Sequence, residues 1–320
     1  MKNIKKFYEE EEIINSSYYK YNDICTIEVI SDIHYHSNVN KELFKILVDH
    51  CIKTKPNFIV MPGDLIETIE FIDNDKERNF FEAMIKSLSE VAPVIIVPGN
   101  HEIGLFGVKN FSTRLKETED YPNQKSLKYF ESLNKFKNVY FLNNEKVKIN
   151  GITFIGFNPR LGTYLKKGNP KVNKMLIEDY LNSGLSMAEK DYNILVTHSP
   201  HLLKEQMVLD SLSDLKNLTD LVITGHFHDG YLPKKLDKFF NKTNIGMFIT
   251  PLVAPIPGTV CRGIHKFSRG YLFISQGFRK WTADISLFNA FEKIAANDVE
   301  KLIITNSDLI NSNQKKYKRR

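Results

Sequence analysis

The sequence predicts an α/β protein, a largely parallel or mixed sheet covered by helices, on three observations. Apolar, β-branched and aromatic runs that read as strands alternate with helix-like stretches. Two of the runs, Phe58–Met61 and Val94–Val97, are unbroken, as strands buried on both faces are. Short polar clusters follow directly on such runs: Asp32 and His34, then Gly63-Asp64, then Gly99-Asn100-His101-Glu102, then His198, then Gly225-His226-Phe227-His228. Ligands of open α/β sheets sit beyond the carboxyl ends of the strands, so chain order alone brings these clusters to one edge.

Each element has its own signal. Thr26–Ile30 is β-branched around a single glutamate. Phe58–Met61 and Val94–Val97 are apolar throughout. Val139–Leu142 and Ile152–Phe157 are rich in β-branched and aromatic residues. Asn193–Val196 and Leu221–Thr224 lead into His198 and Gly225, and Tyr271–Ser275 closes the series. Lys41–Lys53, Arg78–Leu88 and Gln124–Phe136 repeat apolar residues at the three- and four-residue spacing of a helix. His50 falls on the expected surface of the first helix. Leu287–Ile304 reads as helical and then strand-like.

A chain of 320 residues, 42% hydrophobic, can bury a sizeable core. No Gly/Ser/Pro-rich linker divides it. One domain is therefore expected over 24–308, between an N-terminal extension, 1–23, and a basic tail, 309–320. The apolar stretches fall far below the ~20 residues of a bilayer-crossing helix. Met1 to Glu12 carries three lysines and four consecutive glutamates and no apolar signal-peptide core, which points to a cytoplasmic protein. Three scattered cysteines, Cys25, Cys51 and Cys261, fit free thiols in a reducing compartment. Of the net charge of +6, five units sit on Lys315, Lys316, Lys318, Arg319 and Arg320. Basicity confined to a tail argues against a nucleic-acid-binding fold. The tail is expected to be solvated, with contact to nucleic acid or anionic lipid, hence peripheral membrane association, as the alternative. No obligatory protein partner is evident.

Carboxylate, amide and imidazole are the donors of the polar clusters, and five of the nine histidines fall in them. Any one cluster alone reads as a cap, a turn or a satisfied polar loop. Together they describe a cage for two cations, roughly 3.5–4 Å apart, that clamp a phosphate and share one water. Asp64 is the natural bridge, because a carboxylate has two oxygens to offer. Gly63 lets the backbone come close without a Cβ clash. Asp32 and His34 read as alternate residues on extended chain that point to one side, as do His226 and His228. Oxygen and nitrogen donors without cysteine favour Mn²⁺, Fe or Zn²⁺ over Ca²⁺ and do not choose among them.

With these blocks the chain resembles the calcineurin-like metallophosphoesterases. Their pattern is Asp-x-His, Gly-Asp, Gly-Asn-His-Asp/Glu, a lone His and Gly-His-x-His, and every block is matched between Ile30 and His228. The resemblance implies a four-layer αββα sandwich of two mixed β-sheets flanked by helices, the metallo-dependent phosphatase fold. It implies that Asp32, His34, Asp64 and His228 hold one metal ion, and that Asp64, Asn100, His198 and His226 hold the other. It leaves His101 off the metals, facing substrate as acid or transition-state stabiliser. The implied chemistry is phosphoester hydrolysis by a hydroxide bridging two divalent ions, with no covalent enzyme intermediate.

Departures from the pattern bear on substrate. Glu67 stands three residues after Asp64, where many relatives carry an Asp that pairs with the histidine equivalent to His101. It is expected either to do likewise on the substrate side or to be a helix-start carboxylate. Arg160 is a candidate to reach a substrate phosphate, a surface loop arginine being the other reading. The order of residues after His228 is similar to the bacterial branch related to membrane-associated enzymes that cleave lipid A precursors. Those relatives usually show Gly-Gly after the last histidine and begin with a membrane anchor. This chain has Asp229-Gly230 and no such anchor. Met247 to Pro257 reads as an apolar lip for a lipid or aromatic leaving group, or as a buried loop closing the sandwich. The expected function is a cytoplasmic, metal-dependent phosphohydrolase acting on a phosphodiester or phosphomonoester, a pyrophosphate-linked substrate included. A nuclease of the same superfamily, or a non-catalytic scaffold on the fold, is the alternative.

Overall fold

The computed structural model describes residues 8–21, 23–37, 39, 41–103, 124–159, 183–185, 188, 191–199, 219–226, 263–266, 270–278 and 298–306. Strands within them form two mixed six-stranded sheets. The first runs in the order β1 (Tyr8–Asn15), β12 (Asp298–Thr305), β2 (Cys25–Val29), β3 (Phe58–Met61), β4 (Val94–Ile96), β5 (Val139–Phe141). The second runs β10 (Gly263–Lys266), β11 (Tyr271–Ile274), β9 (Leu221–Thr224), β8 (Tyr192–Thr197), β7 (Ile152–Phe157), β6 (Glu145–Ile149). β2 to β5 are parallel in the first sheet, and β11, β9, β8 and β7 in the second. The antiparallel pairs are β12 with β2, β6 with β7, and β10 with β11.

The sheets pack face to face. Ile27, Val29, Phe58, Val60, Ile95 and Val97 meet Phe154, Ile194, Val196, Leu221, Ile223 and Phe273, with the Phe58 and Phe154 rings 4.9 Å apart. Ile59, Met61, Val94 and Ile96 point the other way, into a second core shared with helices α1 (Glu42–Thr54), α2 (Asp75–Val91) and α3 (Gln124–Ser132). Burial on both faces is the reason these strands are apolar without alternation. The fold is thus an α/β sandwich of two mixed sheets with helices outside the first, the arrangement that the resemblance implies. The helical layer expected outside the second sheet lies beyond the described residues.

Tyr8–Asn15, inside the stretch read as an extension, is an edge strand pairing in parallel with β12. α2 begins three residues before the expected Arg78, because the Asn74 side chain accepts the Glu77 N–H and Asp75 and Glu77 suit the positive end of the helix. The expected helix over 124–136 divides into α3 and a 3₁₀ turn at Leu133–Lys135. His50, expected on a helix surface, faces inward, with Nε2 3.4 Å from the fully buried Glu28 carboxylate.

Candidate metal centre

Two loops build the floor of the site, one leaving β2 and one leaving β3. They lie side by side, tied by four backbone hydrogen bonds. Asp32 N–H donates to Gly63 O (3.1 Å), His34 N–H to Asp64 O (3.0 Å), Tyr35 N–H to Leu65 O (2.9 Å) and Glu67 N–H to Tyr35 O (3.0 Å). In this ladder Asp32, His34 and Asp64 adopt φ of 54°, 47° and 52°, so the expectation that Asp32 and His34 sit on extended chain is corrected. His226 is likewise left-handed, at φ 78°. A left-handed non-glycine residue costs about 1–3 kcal/mol, tolerable only where its surroundings hold it there.

Glu102 supplies much of that restraint. Its Oε2 accepts the N–H of Asp64 (2.8 Å) and of Gly99 (2.7 Å), and its Oε1 those of Leu65 (2.7 Å) and Ile66 (3.0 Å). Burial, with the nearby Asp64 charge, pushes this carboxyl above its ordinary value, against the pull of the Ile66 and Gly99 N–H groups and of His101. With four N–H donors on two oxygens, it acts as the acceptor-only carboxylate. Gly63, at φ 86°, lies against Gly99 so closely that a Cβ would stand 2.6 Å from the Gly99 backbone. The second and third clusters therefore touch through bare backbone.

Asp64 is the centre. Its Oδ1 accepts the His101 N–H (2.9 Å). Its Oδ2 lies 2.9 Å from His198 Nε2 and 3.9 Å from both His34 Nε2 and His101 Nε2. Oδ2 thus faces the imidazoles on both sides of the site. Two overlapping groups result, His34 with Asp64 and His101, and Asp64 with His198 and His226. Within each, the donor atoms lie within 4.8 Å of one another. Asp32 borders the first group, with Oδ1 4.0 Å from His34 Nε2. Its carboxylate also accepts the Ser31 hydroxyl and the His226 N–H (3.1 and 3.2 Å). Asp32 and His198 are sealed, whereas His34 and His101 keep 7% exposure and mark the open side.

The donor set fits divalent cations on two observations. The Asn100 Oδ1 is buried and has no hydrogen-bond partner. His226 Nδ1 and His198 Nε2 face one another at 3.1 Å, a geometry that two imidazoles hold by sharing either a proton or a cation. His198 Nδ1 donates to the Pro62 carbonyl (2.7 Å), which directs Nε2 to Asp64. Without a cation, burial pulls the His198 imidazole down. The Asp64 charge and hydrogen bond, with Asp32 and the Pro62 carbonyl, outweigh burial and push it up to about 9. Burial likewise pushes Asp64 up, but His198, His101 and His34 hold it well below the usual carboxylate range.

The structure thus brings together Asp32, His34, Asp64, His101, His198 and His226 of the predicted set. His228, Arg160, Met247 to Pro257 and the basic tail lie outside the described residues. Glu67 does not place its side chain on His101. Its Oε2 is 3.1 Å from His34 Nδ1, and its backbone carbonyl takes His101 Nδ1 (2.6 Å). Sequence reasoning quoted Glu102 within a cluster but assigned it no role, and it overlooked a second support. Tyr35 Oη donates to Glu77 Oε2 (2.6 Å), and Lys41 Nζ to Glu77 Oε1 (3.0 Å), which ties the His34 loop to α2. Glu300 on β12 is a third. It accepts the Ser275 hydroxyl (2.5 Å) and the Gln276 N–H (3.0 and 3.1 Å), anchoring a loop whose Phe278 N–H reaches Ser31 O (2.6 Å). A buried carboxylate inside an apolar strand or helix face was the signal for the last two.

No curated protein sequence matches the chain. Among solved structures it is similar to a phosphopantetheinyl hydrolase from Mycobacterium tuberculosis, at 13% identity and TM-score 0.43, over 81% of this chain and 92% of that one. It is similar to a dimetal phosphatase from Danio rerio at 14% and 0.40, over 79% and 87%. A third is GAP50, the anchor in the inner membrane complex of Plasmodium, at 14% and 0.38, over 80% and 72%. The family model for calcineurin-like phosphoesterases matches residues 26–230, well over half of the chain. Those residues carry the loops that converge on Asp64, and the chain belongs to the calcineurin-like phosphoesterases, metal-dependent hydrolases of phosphoric esters.

Proposed function

We propose that this chain hydrolyses a phosphodiester or phosphomonoester with two divalent cations, Mn²⁺, Fe or Zn²⁺, held about Asp64. The observation that carries the reading is the position of Asp64 Oδ2, shared by two His/Asp groups whose outer members come from different sheets. His34 and Asp32 would hold one cation with Asp64; Asn100, His198 and His226 would hold the other. Bound there, the cations supply an activated water and neutralise phosphoryl oxygens as charge builds. The chain's own groups do the rest. His101 Nδ1 donates to Glu67 O, so the ring is fixed, and as an imidazolium it presents its second proton, on Nε2, to a leaving oxygen. Glu102 and the ladder of backbone bonds hold Asp64 and His101 in register, and the sealed Asp32–His198 side excludes water from the back of the site.

The test is a metal-reconstituted comparison of bis-p-nitrophenyl phosphate, p-nitrophenyl phosphate, cyclic nucleotides, single-stranded DNA and nucleoside-diphosphate lipids. Metal-dependent turnover of a phosphate ester is expected. Preference for the bis-ester assigns the diesterase class, and efficient DNA cleavage moves the reading to a nuclease. No turnover of any ester with any of the three metals overturns it.

A further inference from the structure

We infer that Glu67 is a positioning residue that sets the tautomer and aim of His34, and thereby the affinity of one cation, rather than a group that contacts substrate. This rests on the reading of His34 as a metal ligand. The ladder that joins the two loops ends with Glu67 N–H on Tyr35 O, which places Glu67 beside the His34 ring. Its Oε2 lies 3.1 Å from His34 Nδ1. An ionised carboxylate only accepts, so Nδ1 carries the proton and Nε2 keeps its lone pair. That Nε2 is the atom 3.9 Å from Asp64 Oδ2 and 4.0 Å from Asp32 Oδ1. A carboxylate behind a ligating imidazole both fixes the ring and raises its basicity.

The same residue holds the neighbouring imidazole by a different atom. His101 Nδ1 donates to the Glu67 backbone carbonyl, and the His34 and His101 rings stand edge to face with centroids 4.4 Å apart. The His101 tether survives any substitution at 67, whereas the His34 tether depends on the side chain. The Glu67 side chain is 39% exposed, so truncating it opens no core. The side chain therefore acts on one imidazole and the backbone on the other, and substitution separates them.

The experiment titrates metal-free full-length protein with Mn²⁺ by calorimetry and reads imidazole tautomers from ¹⁵N–¹H spectra. In Glu67→Ala one cation should bind roughly 10–100-fold more weakly while the other is unchanged. His34 should lose its uniform Nδ1–H tautomer, and His101 should keep it. Glu67→Gln, whose amide oxygen still accepts the Nδ1 proton, should lose less. Parent affinity for both cations in Glu67→Ala, with an unchanged His34 tautomer and a raised KM, overturns the inference and returns Glu67 to substrate contact. A His34→Ala variant that binds both cations like the parent overturns the underlying metal-site reading, and with it this one.

Discussion

Asp64 Oδ2 lies within about 4 Å of three imidazoles from separate loops, His34, His101 and His198, so the Asp64 charge acts on all three. In Asp64→Asn the Oδ1 that accepts the His101 N–H is retained while the negative charge is lost. Activity should fall more than about 100-fold with the far-ultraviolet circular dichroism unchanged, since the fold is retained. Full metal-dependent turnover would contradict the central role of Asp64. His101→Ala should lower kcat by about 10²–10⁴-fold, the range of a lost general acid, and leave metal content unchanged by elemental analysis. Equal loss of metal and turnover would make His101 a ligand. At this scale the residue types were legible from sequence and their conformations were not. Asp32 and His34 looked like alternate positions on a strand, but two loops exchanging backbone hydrogen bonds force both to positive φ.

The elements beneath the site are joined by Glu77. Hydrogen bonding from Tyr35, with burial opposing it and Lys41 adding to it, holds the Glu77 carboxyl below its ordinary value of 4.5. A depressed carboxylate stabilises the fold above its unfolded value and loses that contribution as pH falls through the folded one. Glu77→Gln should therefore be less stable than the parent by about 2 kcal/mol at neutral pH. In urea melts the gap should close as pH drops below 4.5. A gap that persists at pH 3 would mean that Glu77 acts by shape alone. Tyr35 reinforces the junction with ring contacts to Phe44, Phe71, Phe80 and Phe81. Interior strands were legible nearly to the residue: Phe58–Met61, Ile152–Phe157 and Leu221–Thr224 coincide with the expected spans. Of the four edge strands, β1, β6 and β10 were not anticipated, whereas β5 was. An edge strand exposes one side, so Glu145–Ile149 keeps charged residues at alternate positions and lacks the apolar run that identifies a buried strand.

At the scale of the molecule the sandwich brings the carboxyl ends of β2, β3 and β4 against those of β8 and β9, so the site closes only when both sheets are docked. Cations that bind this closed arrangement and not the unfolded chain stabilise it by mass action, by about 2.7 kcal/mol at a free concentration one hundred times Kd. Chelation should lower the melting temperature and readdition of Mn²⁺ should restore it; indifference to EDTA would argue against cations bridging the sheets. In the metal-free protein the imidazolium of His198, raised to about 9, stabilises the fold below its unfolded value near 6.5 and ceases to do so as pH rises through about 9. A cation must displace that proton. Calorimetry at pH 8 in two buffers of different ionisation enthalpy should report proton release.

What the sequence by itself determined was the fold class, the order of the buried strands and the donor types at their ends. These follow from local burial and chain order, which a linear pattern records. What only the tertiary structure decided was which atom each donor presents: Asp64 Oδ2 at the centre, Glu67 behind His34 rather than His101, and Glu102 clamped by four backbone N–H groups. Those choices depend on angles and distances of a few ångströms between segments dozens of residues apart. Hydrogen-bond geometry sets them, and residue identity does not carry it.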